Sequence, residues 1–478
     1  MPQPEPHPRI DAADNGLPAS LNLLQTSIGE LSLLLADGSI TSVSLVKAYL
    51  ARKQVRGPLH GIPVLVKDTI ATDLDLGMRT SAGNTALQQS VVPGDAEVIK
   101  KLRQAGAIIL AKTNLTEFSN FKGATISFGW SPQGGQCSSA YVKGGYDAGG
   151  DPDGSSSGSA VGVSAGFGAV ALGQETAGSI TGPASRAALY AIKPSRGLVS
   201  TEGVVCISRS RDTVGPIGFT TGDVAIMLDA LTDGDHKYFR AAQTPAMKGL
   251  RLGLVRRNFL DEADGRFVLA ATSVKETEDA VPFAIETMRN AGATVLDVNM
   301  NISYADMLEL EHQCEWQIIT SGFKEDIAAY LGDLKESPVR TLEELIRWNE
   351  DHAEEELPAK APDQSYLIAA SKALPRDSDE YRRAEARSAE IAGTNGLDYI
   401  FDKFELDAAI FVKALGIAHV VASATGYALG CAPLGYCAAD NAPFGLMFAV
   451  RPGQEEKLIS ILAGYEAIMP RRRTPKWL

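Results

Sequence analysis

The segment Gly154-Ser155-Ser156-Ser157-Gly158 sets three serines between two glycines, a place where a hydroxyl nucleophile can be presented on a tight turn. Read as G-x-S-x-G, it is a nucleophile elbow centred on Ser156, which then needs an acid and a histidine downstream. The chain has six histidines, and His419, in the apolar stretch Ile417–Val421, is the partner this esterase chemistry would use. No matching aspartate context accompanies His419, so a structural role suits it better. A second reading spans more of the chain. Ser155 is followed 24 positions later by Ser179, in Gly173-Gln-Glu-Thr-Ala-Gly-Ser179-Ile180, and Lys67 ends the apolar run Ile62–Val66. Burial disfavours an ammonium, so a lysine there becomes a usable base near neutral pH, and a serine hydroxyl needs such a base to attack.

The elements that must position these residues are legible as alternating strands and helices. Short helices are expected at Ser27–Ala36 and Ser42–Arg52, a buried strand at Gly61–Lys67, a helix at Asp95–Ala105 and another buried strand at Ala107–Ala111. About a third of the 46 glycines fall between Gly129 and Gly182. A flexible linker would have that composition, but Ala160–Leu172 is apolar and small, which predicts a buried helix between two serine-bearing loops. Strands are expected at 249–258, Thr294–Val298 and Ala408–Val412. A strand pair is expected at Ala432–Gly435 and Gly445–Ala449, turning at Ala439–Asn441. Helices are expected at Val281–Ala291, through the charged 304–390 region with an amphipathic stretch at Thr341–Trp348, and at Lys457–Met469. Strand–helix alternation implies an α/β fold with helices covering both faces of a sheet.

The bulk composition narrows the function classes. With 45% hydrophobic and 22% charged residues, the 478-residue chain can build a large core. The net charge is −13 and no basic stripe is visible, which argues against nucleic acid as a partner. Arg471–Arg473 is the one basic run and reads as a solvated tail. Five widely spaced cysteines without a CxxC pair argue against a disulfide framework and a zinc site. No apolar run is long enough to span a bilayer, and no secretory signal is visible, so the cytoplasm is the expected location.

Several collinear blocks resemble the amidase signature enzymes. They are Gly57-Pro-Leu-His-Gly-Ile-Pro-Val-Leu-Val-Lys-Asp68, Ala105–Leu115, Gly154–Ala160, Gly173–Ala184, Ile192-Lys-Pro194, Asp212-Thr-Val-Gly-Pro216, Pro433–Tyr436 and Pro443–Met447. The long Gly129–Gly154 loop and Val339-Arg-Thr-Leu342 look most like the fungal and bacterial small-molecule branch. The resemblance implies a single large α/β/α domain over 1–478 with a mixed sheet. Its parts would be a Gly/Ser-rich catalytic core at 17–230, a helical cap at 304–390 and a C-terminal return to the sheet at 401–478. It also implies a Ser–Ser–Lys triad: Lys67 as base, Ser155 as bridging serine after a cis peptide bond, and Ser179 as nucleophile. The N–H groups of Thr176, Ala177, Gly178 and Ser179 would form the oxyanion hole. Ser156 would hold the loop, and Trp130, Gly134 and Gly135 would line the entrance.

The implied reaction is hydrolysis of a small-molecule carboxamide through an acyl-enzyme, with no metal or organic cofactor. Homodimerisation stays open. Relative to the family, alanine replaces a glycine at 177, glutamate an aspartate at 175, glutamine a threonine at 174, threonine an arginine at 181 and serine a glycine at 157. Arg52–Arg56 joins segments that relatives separate by a few dozen residues. An esterase using Ser156 and His419, a biosynthetic acyl transferase and a binding protein on the same fold are the alternatives.

Overall fold

In the computed structural model, residues 33–41, 44, 57–255, 271–412 and 417–476 are described. The chain divides into a unit at Met1–Pro58 and a unit at Leu59–Leu478. Of the first, Leu33–Ala36 is helical, and Asp37 Oδ1 accepts the Ser39 N–H at 2.8 Å. The helices expected at Ser27–Ala36 and Ser42–Arg52 lie largely outside the described residues, as does the Arg52–Arg56 junction.

In the second unit, β-branched and apolar runs become strands. In chain order these are β1 (Pro63–Lys67), β2 (Ile108–Thr113), β3 (Trp130–Ser131), β4 (Gly135–Gln136), β5 (Val170–Glu175) and β6 (Tyr190–Lys193). They continue with β7 (Thr213–Gly218), β8 (Arg251–Val255), β9 (Thr294–Val298), β10 (Ala408–Val412), β11 (Ala428–Tyr436) and β12 (Pro443–Val450). Ten of them form one sheet in the order β2-β1-β5-β7-β6-β11-β12-β10-β8-β9, while β3 and β4 pair alone. The sheet is mixed. β1 runs parallel to β2 and β5, and β8 parallel to β9 and β10. The stretch from β5 through β7, β6, β11 and β12 to β10 is antiparallel.

Period-2 alternation sends successive side chains to opposite faces. Val64 and Val66 join one apolar cluster and Leu65 the other; Ala408, Ile410 and Val412 join the first, Ala409 and Phe411 the second. Helices cover both faces, giving the three-layer α/β/α domain with a mixed sheet that the sequence implies. Among the described residues no helix is long and apolar enough to cross a membrane, and no disulfide joins the cysteines.

Four expectations need correction. The strand at Ala107–Ala111 is not buried: it falls in β2, an edge strand paired on one side only, and Ile108 and Leu110 are exposed. Ala160–Leu172 is not one helix: a helix at Ser157–Ser164 ends before Gly166-Phe167-Gly168, where Phe167 is exposed, and β5 begins at Val170. Two glycines around an aromatic break the helix, so the second serine loop leaves the sheet from a strand. Among the described residues no peptide bond is cis, including the one before Ser155; Asp153 and Gly154 both take left-handed backbone (φ 58° and 53°) and turn the chain there instead. Arg471–Arg473 is not simply solvated, because Arg472 and Arg473 are bonded to the body of the domain.

The region 304–390 is helical as expected, and two buried ionic clusters join it to the sheet domain. Lys122 Nζ contacts Glu117 and Glu356 carboxylates at 2.7 Å each, all three side chains enclosed. Arg211 donates to Glu315 at 2.8 Å and Glu385 at 2.9 Å.

Candidate active site

Lys67 is the last residue of β1, an interior strand flanked by β2 and β5, so its side chain emerges inside the domain and is fully buried. Its Nζ donates to Ser155 Oγ at 2.6 Å and to the Gln174 carbonyl at 3.1 Å. Burial lowers the Lys67 pKa to about 7, against the opposing pull of the Asp212 and Glu175 carboxylates. An amine so placed can be neutral and accept a proton from a serine hydroxyl.

Ser155 follows the left-handed Gly154, where a Cβ would lie 2.4 Å from Pro183 Cδ, so the turn needs glycine for both conformation and space. The loop is clamped by its neighbours. Thr116 N–H donates to the Ser155 carbonyl at 3.2 Å, Thr116 Oγ1 to the Gly154 carbonyl at 3.2 Å, and Gly158 N–H to the Asn114 carbonyl at 3.0 Å. Ser156 is fully buried. Its hydroxyl donates to the Gln174 carbonyl at 3.1 Å and accepts the Gln174 N–H at 3.2 Å, while its own N–H donates to the Ser179 carbonyl at 3.0 Å. That single residue stitches the first serine loop to β5 and to the turn that bears Ser179.

Ser179 lies on the turn between β5 and the helix Thr181–Arg186, and is 8% exposed. The left-handed residue of that turn is Gly178 (φ 88°), and Ala177 has no positive φ, so the alanine is compatible with the turn. A Cβ on Gly178 would sit 3.0 Å from His419 Nδ1, which places the His419 ring against this turn. Glu175 Oε2 accepts the N–H groups of Ile180 (2.7 Å) and Thr181 (2.9 Å) and the Thr181 hydroxyl (3.0 Å). Glu175 is thus committed to the start of the helix that follows Ser179.

Asp212 is the residue sequence reasoning missed. It heads the Asp212–Pro216 block, quoted above only for the resemblance, and stands directly before strand β7 at Thr213–Gly218. Its carboxylate accepts Thr176 Oγ1 at 2.5 Å and Gln174 Nε2 at 2.7 Å. The entrance candidates sit on the β3–β4 hairpin. Trp130 is buried in a small cluster with Ile126 and Ala361, with Lys360 Nζ 5.5 Å from its ring centre. Gly134 lies against Asn114, whose Nδ2 donates to the Gly129 and Gly135 carbonyls at 3.0 Å each. Among the described residues no group of acidic, histidine and cysteine side chains could hold a metal ion.

The family profile described as Amidase matches residues 20–459. The chain belongs to the amidase signature family. An Arabidopsis thaliana protein described as a probable amidase is 34% identical over 88% of this chain and 79% of its own length. The crystal structure of a peptide amidase from Stenotrophomonas maltophilia superposes with a TM-score of 0.79 at 30% identity, covering 95% of this chain and 99% of that one. An amidase family protein from Bacillus anthracis gives 0.75 at 25% identity over 95% and 93%. The enzyme is therefore a hydrolase acting on amides, with the fold of its relatives.

Proposed function

We propose that the enzyme hydrolyses the C–N bond of a small-molecule carboxamide through an acyl-enzyme on Ser179, with Ser155 as bridging hydroxyl and Lys67 as base. The observation that carries this reading is the buried 2.6 Å contact between Lys67 Nζ and Ser155 Oγ. Neutral Lys67 takes the Ser155 proton as Ser155 takes that of Ser179, and Ser179 Oγ attacks the amide carbon. The oxyanion is received by the N–H groups of Thr176 to Ser179; one such donor is typically worth about 3 kcal/mol in the transition state. The C–N bond breaks as the proton held by Lys67 returns through Ser155 to the leaving nitrogen. Water, deprotonated by the same relay, then releases the acid and restores Ser179. Ser156, with its hydroxyl committed to Gln174 in both directions, keeps the loop in place.

The test is intact-protein mass spectrometry after exposure to a serine-directed fluorophosphonate. One adduct on the wild type, absent from Ser179→Ala and much slower in Lys67→Ala, is the expected result. An adduct that maps to Ser156 would overturn the assignment and favour the esterase chemistry with His419.

A further inference from the structure

Asp212 takes no part in the relay above, yet its carboxylate is fully enclosed and given over to the loop that carries the nucleophile. Oδ1 accepts the Thr176 hydroxyl at 2.5 Å; Oδ2 accepts Gln174 Nε2 at 2.7 Å and the Ile207 N–H at 2.8 Å. Gln174 and Thr176 flank Glu175 at the end of β5, so one carboxylate grips the strand end on both sides. Gln174 is also the pivot of the site, since its carbonyl accepts both Lys67 Nζ and Ser156 Oγ at 3.1 Å. Thr176 opens the turn that leads in three residues to Ser179.

We propose that Asp212 is a positioning residue for amide hydrolysis, fixing from behind the Gln174 carbonyl that holds Lys67 and the Thr176 turn that presents Ser179. The inference rests on the Lys67–Ser155–Ser179 reading and deepens it. Glutamine at 174 makes this chain's version of the grip, because its long amide reaches Asp212 and the Val205 carbonyl (3.0 Å) together.

The position gives Asp212 a second effect, through charge. Around the pair, β1 supplies Lys67, β5 supplies Glu175, and the segment before Asp212 supplies the Cys206 thiol and Arg209. The helix Trp316–Asp333 brings Asp326, which accepts the Arg209 N–H at 2.7 Å. Asp212 and Glu175 are the anions that oppose burial at Lys67. Removing the Asp212 charge favours neutral Lys67 and lowers the pH at which the base becomes active. A residue that only packed the turn would leave that midpoint alone.

Asp212→Asn keeps the shape, removes the charge and turns an amide NH2 toward donors. We expect kcat to fall about 100-fold, the scale of a small misplacement of reacting groups. KM should change little, and the acid limb of kcat/KM should move to lower pH. Thr176→Val removes one donor and keeps the charge; kcat should fall about tenfold with the limb unmoved. An unchanged kcat in Asp212→Asn, or a lower kcat with an unmoved limb, overturns the proposal. If Asp212→Asn does not fold by circular dichroism, Thr176→Val decides, and an unchanged kcat there overturns it. Fluorophosphonate labelling of the wild type is run alongside. No Ser179 adduct on the wild type removes the underlying triad, whereas a normal adduct with an indifferent Asp212→Asn removes only the role of Asp212.

Discussion

Lys67 must shed its proton before it can take one from Ser155, and burial brings its pKa to about 7. The neutral fraction therefore grows as pH rises through that value and shrinks about tenfold per unit below it. On the acid side kcat/KM for a chromogenic amide should climb with a midpoint near 7, reporting the free enzyme. Lys67→Arg, cationic at every working pH, should lose at least about 100-fold in kcat across the range. A flat wild-type profile from acid to alkaline pH would exclude a lysine base. At this scale the sequence was informative where residue type and neighbours coincided: a lysine closing an apolar run, serines crowded by glycine. Asp212 was illegible because its value lies in partners 36 and 38 positions away, Thr176 and Gln174, brought to it by antiparallel pairing of β5 with β7.

Between elements, the Ser155 loop is held by the segment Asn114–Thr116, and that segment runs directly into an unusual turn. Phe118, Ser119 and Asn120 are all left-handed, with φ of 48°, 56° and 74°, a conformation that costs non-glycine residues energy. The turn persists because Glu117 before it and Lys122 after it are locked to the helix Ala353–Glu356. Lys122 Nζ reaches the Glu356 carbonyl at 2.6 Å, and Asn84 Nδ2 donates to Glu117 and Glu356 at 2.9 Å each. Burial pushes the Glu117 carboxyl well above its usual range, with Lys122 pulling the other way. Lys122→Met should therefore destabilise by about 3–5 kcal/mol, because it strands two enclosed carboxylates. In that variant Glu117, already held above its unfolded range, loses the ammonium that pulled it down, so its share of stability is retained at low pH and lost as pH rises. Urea midpoints should show the deficit shrinking on acidification, and Lys122→Met with Glu356→Gln should recover part of it. An equal deficit at all pH values would show that the ammonium matters only as packing. Strands β9 and β10 could be read from Val, Ile and Phe content alone. β7 could not, since Pro216 and two glycines disguise it; β6 pairs with β7 only at Ile217 and Gly218, so that ladder ends where the proline begins. The ionic clusters were equally hidden, for their partners are up to 234 positions apart in sequence.

Across the molecule, the C-terminal segment after the helix Glu455–Ile468 returns to the loop that precedes the Ser155 turn. Arg472 Nε donates to the Ala188 carbonyl at 3.0 Å and Nη2 to Tyr141 Oη at 2.8 Å, with its guanidinium 4.7 Å from the Phe219 ring centre. Tyr141 Oη in turn donates to the Arg473 carbonyl at 2.7 Å, and the Arg473 N–H reaches Tyr436 Oη at 2.7 Å. Tyr141 is wholly buried in the Gly129–Gly154 loop, so the chain's end supplies the partners of a core tyrosine. A run of three arginines gives no hint of this, because the same composition suits a solvated tail and only the shape of the receiving surface separates the two. Arg472→Ala should lower stability by about 1–3 kcal/mol, leaving Ala188 and Tyr141 short of partners. Arg472→Lys should recover less than half, since an ammonium cannot serve both acceptors in the fork geometry and stack on Phe219. The loss should also reach catalysis, through the hydrogen bond from Ser139 N–H to the Gly150 carbonyl (2.8 Å) that folds the Tyr141 loop toward Gly154. Thermal midpoints and kcat measured together distinguish a strap that positions the serine loop from one that merely seals the core. A fall in both places the C-terminus in the support of Ser155. A lower midpoint with unchanged kcat confines it to stability, and a midpoint unchanged in Arg472→Ala means the segment is held by the Arg473 backbone contacts to Tyr141 and Tyr436.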